Sequence, residues 1–199
     1  IGAINTKLFG NLIVDTNKTL TTTGQFKLYN SGATFTFNTP ATNVNGVASF
    51  STRETGTFTI PAVTMPKMFL DTSGSTVVAS GNHTYTTELE ISSGAVFTSS
   101  GNDITAKLID NKAGGIFNLS EGDTLTFTDA SGCGFGASAG TLNSLGASGN
   151  RNTITSGGGS GVSNRFDATQ NMTQTMTYTT MSYGANWGPG TGTCNITNC

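Results

Sequence analysis

A fixed glycine spacing most constrains this chain. An apolar residue, a glycine five positions later and an apolar residue three beyond it recur as Phe69/Gly74/Val77, Leu89/Gly94/Phe97, Ile109/Gly114/Phe117 and Phe127/Gly132/Phe135. The steps between blocks are twenty, twenty and eighteen residues, with weaker echoes at Gly32/Phe35 and Gly56/Phe58. A second turn signal follows the first: Gly81-Asn82, Gly101-Asn102 and Gly122-Asp123. Glycine permits corners with positive φ, and Asn or Asp tolerates them best among the other residues. The runs between corners have strand length.

A unit of about 20 residues with short strands and tight corners is one coil of a β-solenoid. The spacing therefore predicts an all-β parallel β-helix forming a single domain over 1–199. Coils stack at the strand separation of about 4.8 Å, so equivalent side chains lie above one another. Phe35, Val77, Phe97, Phe117 and Phe135 are expected in one inward column, and Phe69, Leu89, Ile109 and Phe127 in another. Gly32, Gly74, Gly94, Gly114 and Gly132 mark corners, and Asn82, Asn102 and Asp123 are expected to form a corner ladder. A β-sandwich is the alternative; its strands need not repeat in register at this period.

Composition fits the solenoid. Thr, Gly, Ser and Asn supply 102 of 199 residues, whereas charged residues make up 10% with a net charge of −2. This leaves no basic surplus for nucleic acid, and no apolar run is long enough for a membrane-spanning helix. Thr and the 12 Phe favour strands over helices.

On the coil period from about Gly24 to Phe135 and its Gly-Asn corners, the chain resembles the right-handed parallel β-helix proteins. These form the pectin-lyase-like group of extracellular enzymes, adhesins and virus tailspikes. The resemblance is one of architecture; it implies a solenoid and an extracellular or surface setting, and it does not choose a function.

Beyond Phe135 the pattern breaks. Residues 131–163 are rich in Gly and Ser and read as an excursion from the coil. Strand character returns at Met172, Met176 and Tyr178 on one face, with Thr173, Thr175, Thr177 and Thr179 on the other. Cys194 and Cys199 could close a disulfide in an oxidising compartment, leaving Cys133 for an inter-chain bond. Three cysteines and the distant His83 lack zinc-like spacing, so no metal or cofactor is expected.

The chemistry of the side chains is sparse. Glu88 and Glu90 share a strand face, but counting at the repeat sets Asp71 over Ile91 and Asn111, so no column of acids is expected. Asp103, Asp110, Asp123 and Asp129 are scattered, and enzyme activity is not expected. His83 reads as a surface histidine beside a turn. Thr-x-Thr pairs such as Thr84/Thr86 and Thr124/Thr126 suggest a flat ice-binding ladder. Counted from the Asn corner, however, Thr84 corresponds to Ile104 and Leu125, which interrupts it. The sequons at Asn17, Asn82, Asn118, Asn171 and Asn195 are about as many as this composition gives by chance.

No amphipathic helix caps either end, and open strand edges recruit further strands. The chain either continues or is covered by another copy of itself. The leading expectation is a secreted or cell-surface structural protein that self-assembles by end or side stacking into a filament, sheath or envelope layer. The alternative is an adhesin or tail-fibre-like module that binds surface glycans; a polysaccharide lyase or hydrolase, or an ice-binding protein, ranks below both.

Overall fold

The structure, a computed structural model, describes residues 6–14, 20–22, 24–37, 42–46, 50–128, 134–135, 139–156, 165–166, 172–181, 186–187 and 194–199. Parallel strands, with no helix among these residues, stack as a β-solenoid of about 6 turns of roughly 21 residues. Gly132, Cys133, Asp129, Asn17 and Asn171 lie outside the described residues.

Each coil passes through three faces. The first is a seven-stranded sheet whose strands include Gly56–Ile60, Ser75–Ala79, Val96–Thr98 and Ile116–Leu119. The second and third belong to one 12-stranded sheet. The second contains Ile104–Ala106, Thr124–Phe127, Asn152–Ser156 and Thr179–Met181; the third contains Thr6–Leu8, Phe26–Leu28, Phe50–Thr52 and Ile109–Asn111. Two long strands, Val63–Leu70 and His83–Ile91, run through both, and their register shifts between Tyr85 and Glu88.

Alternation puts the large apolar residues inside. Phe58, Val77, Phe97, Phe117 and Leu142 occupy successive partner positions, and all are fully buried. The Phe97 and Phe117 rings stack at 5.4 Å. Leu142, not Phe135, follows Phe117, because the chain between the two coils is longer there. Phe135 instead bridges to Ile109 on the third face, with its ring edge-on to Phe127. Phe35 is buried in the strand Phe35–Phe37, which pairs with Leu12–Val14 in a separate small sheet.

The second expected column is also corrected. Leu89 pairs with Met68 and Ile109, while Phe69 is half-buried and faces outward beside Glu90. The irregularity in His83–Ile91 adds a residue, and a slip of one residue reverses every side chain. Phe127 sits over Ala106, in the column that also holds Met65 and Tyr85.

The glycine corners have a backbone reason. Gly74, Gly94 and Gly114 have φ of 79°, 74° and 81°, and their N–H groups form a ladder, Gly74 to Gly94 at 2.8 Å and Gly94 to Gly114 at 2.9 Å. A Cβ at Gly94 would stand 2.3 Å from Ser73 Oγ. Gly32 also occupies a turn, its N–H bonded to Asn30 Oδ1. At the other corner, Asn82 Oδ1 accepts the N–H of Asp103, and Asp103 Oδ1 accepts that of Thr124. Asn102 bonds the carbonyls of Ala79 and Ser99, while Asp123 accepts from Ser99 Oγ and Gly101 N–H. The side chains thus join coils through backbone groups and not as the expected Asn82–Asn102–Asp123 stack.

The Gly/Ser-rich region returns to the coil. Thr141–Leu145 and Asn152–Ser156 continue both sheets in register, so residues 131–163 are not one excursion. Their inward residues include Ser144 and Asn152, and the buried side therefore reads as polar in the sequence. Met172, Gln174 and Met176 also point inward. Tyr178 does not join them; it takes a corner with φ of 44°.

Candidate functional site

Charge is scarce in this chain, and the third face collects much of it. Its central column by register is Lys7, Lys27, Ser51, Phe69, Glu90 and Asp110; Ser51 is fully buried, its hydroxyl donating to Asp71, and the other five reach the surface to different degrees. Beside it, Phe9 stacks on Tyr29 at 5.0 Å, Arg53 pairs with Asp71 at 3.0 Å, and Lys112 pairs with Asp110. Lys67 lies on the other flank, 3.1 Å from Glu88 and over the Phe69 ring. Half-exposed ion pairs of this kind contribute little stability, about 0–1 kcal/mol each.

Glu88, Glu90 and Asp110 have carboxylate oxygens within 4.8 Å of one another. Glu90 therefore meets Asp110 directly, and Asp71 does not stand over Ile91: Ile91 pairs with Leu70 and Asn111. The one-residue irregularity displaced the sequence alignment here too. Burial pushes the Glu90 carboxyl above its ordinary value; Lys112 opposes this, and Asp110, Glu88 and Asp71 reinforce it. The three groups could share a proton or hold a hard cation through oxygen ligands. Glu90 and Asp110 stand one twenty-residue step apart, so the repeat itself aligns them; the sequence reading passed over the pair because it followed Asp71.

His83 is not a surface residue. It is 1% exposed, with Nε2 3.0 Å from the Ile60 carbonyl and Nδ1 2.7 Å from the Tyr85 hydroxyl. A carbonyl only accepts, so Nε2 carries the proton and Nδ1 accepts from Tyr85. Desolvation lowers the His83 pKa to about 4, against smaller opposing effects of hydrogen bonds to Ile60 and Pro61. The group is a neutral core histidine.

The second face carries the threonines. Thr64, Thr84, Thr105, Thr126 and Thr155 are register partners on successive coils, so the ladder that counting interrupts is continuous. The corner after Ser99 holds one residue more than the corner after Ala79, with Ser100 and Gly101 both at positive φ. That insertion shifts the partner of Thr84 from Ile104 to Thr105.

Cys199 is a free, exposed thiol. It accepts the N–H of Thr179 and donates to the Thr197 carbonyl. The expected Cys194–Cys199 disulfide is therefore not formed. The strand Cys194–Thr197 carries the chain about 10 Å away from Cys194, whereas a bridge requires Cα atoms within about 7 Å.

No protein-family profile, no curated protein and no solved structure matches this chain.

Proposed function

We propose that this protein is a structural module of a secreted or cell-surface assembly, in which copies associate into a filament, sheath or layer. The observation that supports this is the last described coil. Leu119, Ser144, Met176 and Ile196 follow one another in a single column. The first three are buried, while Ile196 is 50% exposed. Its strand is also the terminal strand of the seven-stranded sheet. A further coil laid on it, from more of the same chain or from another copy, would pair the open edge and bury the isoleucine; this reading takes a second copy. Electron microscopy of purified protein should show fibres or layers that Ile196→Lys disperses. Monomers at high concentration would sink the reading.

The continuous threonine column favours a second reading, ice binding by the second face. The threonines repeat at about 4.8 Å along the axis, and the next outward column lies about 6.6 Å away along the strands. Asn82, Asp103, Thr124, Thr153 and Thr180 form the neighbouring column. Thermal hysteresis removed by Thr105→Lys would support ice binding; its absence in the wild type would end it. Specific hits on a glycan array would favour an adhesin over both.

A further inference from the structure

The order of residues along the third face has a consequence for self-association. Its central column runs from cations through Ser51 and Phe69 to acids. Reversed end for end, the column sets Lys7 opposite Asp110 and Lys27 opposite Glu90, while Phe69 meets the position of Ser51, which is sealed beneath Asp71. The flanking column behaves in the same way: Phe9 meets Lys112, Tyr29 meets Ser92 and Arg53 meets Asp71. No like charges face each other in either column. A two-fold axis along the strand direction performs this reversal, because it inverts the solenoid axis and leaves each column facing its own copy.

We propose that the third face is an isologous interface, on which a second copy of this chain docks antiparallel through charge complementarity. The proposal rests on the self-association reading for its class of partner, but it names a lateral surface and not the coil end. Coupling within one protomer leaves the decisive charges available. Lys67, Arg53 and Lys112 are paired in place. Lys27 and Glu90, which would meet at the interface, have no ion pair among the described residues. Glu90 lies close to Glu88 and Asp110, and a facing cation would relieve that crowding. The six coils from Lys7 to Asp110 span about 24 Å and the columns about 13 Å, a contact well below the roughly 800 Å² per partner of a standard interface. The dimer is therefore weak, fast and dependent on salt.

Sedimentation velocity on the whole chain at low and high ionic strength tests this. The wild type should dimerise reversibly at low salt and dissociate as salt rises. Lys27→Glu and Glu90→Lys should each weaken dimerisation by at least about tenfold. An equimolar mixture of the two variants should restore it, because each heterodimer again pairs opposite charges at both contacts. Circular dichroism shows whether each variant is folded, and misfolded variants would not rescue one another. A wild type that stays monomeric at low salt, variants that dimerise as it does, or a mixture without rescue would overturn the proposal. Fibres formed by Lys27→Glu would leave end stacking intact, and salt-sensitive dimers without fibres would leave the lateral interface as the mode of assembly.

Discussion

The central coils and the last coils use one backbone plan around different interiors. Between Gly56 and Phe127 the core is Phe58, Val77, Phe97 and Phe117 with Ile, Leu and Met around them. Between Thr141 and Thr179, the described buried residues are Ser144, Asn152, Gln174 and Thr179 beside Leu142, Ile154, Met172 and Met176. The hydroxyls of Ser144 and Thr179 lie 2.7 Å apart, and Asn152 bonds Ser144 Oγ, the Leu119 carbonyl and the Gly122 N–H. The comparison shows that the parallel ladder sets the coil, while the filling of the coil varies. The central coils gain from apolar burial. The last coils must satisfy each buried polar group.

That contrast can be broken at Phe97. Removing its ring with Phe97→Ala should destabilise the fold by about 3–5 kcal/mol, the largest single loss expected, measured by denaturant unfolding. A comparable truncation at Leu142, which follows Phe117 in the same column, should lose less.

His83 tests how dry the central coils are. Its pKa is about 4 in the folded chain against 6.5 ordinarily. Above pH 6.5 it is neutral in both states and no stability is lost. As pH falls from 6.5 towards 4 the unfolded chain takes a proton that the folded chain resists, and stability drops. The loss levels off below pH 4 at about 3 kcal/mol. Carboxylates titrate nearby in pH, so the readout is the difference between wild type and His83→Gln in urea melts. A difference that does not change across this window would show that water reaches the histidine.

In the last coils, Asn152→Ala removes three hydrogen bonds and strands their partners, for an expected loss of about 2 kcal/mol. Thermal unfolding would measure it, and an effect near zero would mean that the polar interior is hydrated. Gln174 sharpens the comparison from the other side. Its Oε1 is buried without a hydrogen-bond partner among the described residues, so Gln174→Met should raise stability, by about 1 kcal/mol or less.

Much of the fold is legible in the sequence for a physical reason. Gly74, Gly94 and Gly114 recur because glycine adopts their positive φ without strain while Thr55, Ser73 and Ser93 pack against the three corners, and that demand is local. Val77, Phe97 and Phe117 alternate with outward residues, and that demand is local too. The pairing of Glu90 with Asp110 follows from the same twenty-residue step, whereas the threonine column from Thr64 to Thr155 was not legible. That column depends on a residue gained at the corner after Ser99 and compensated within His83–Ile91. His83 misled for a related reason: a polar residue beside a Gly-Asn turn looks exposed until the Ile60 carbonyl and the Tyr85 hydroxyl are brought to its two nitrogens.

The sequence by itself determined that this chain coils, roughly how many residues each turn takes, and that Val77, Phe97 and Phe117 share one inward column. Those properties follow from φ preferences and strand alternation, which act over a few residues. The tertiary structure decided the register on each face. Register sums every insertion around the coil, and a change of one residue exchanges inside for outside. It therefore decided which charges stand in line along the third face, which threonines share a column and which polar groups are sealed within.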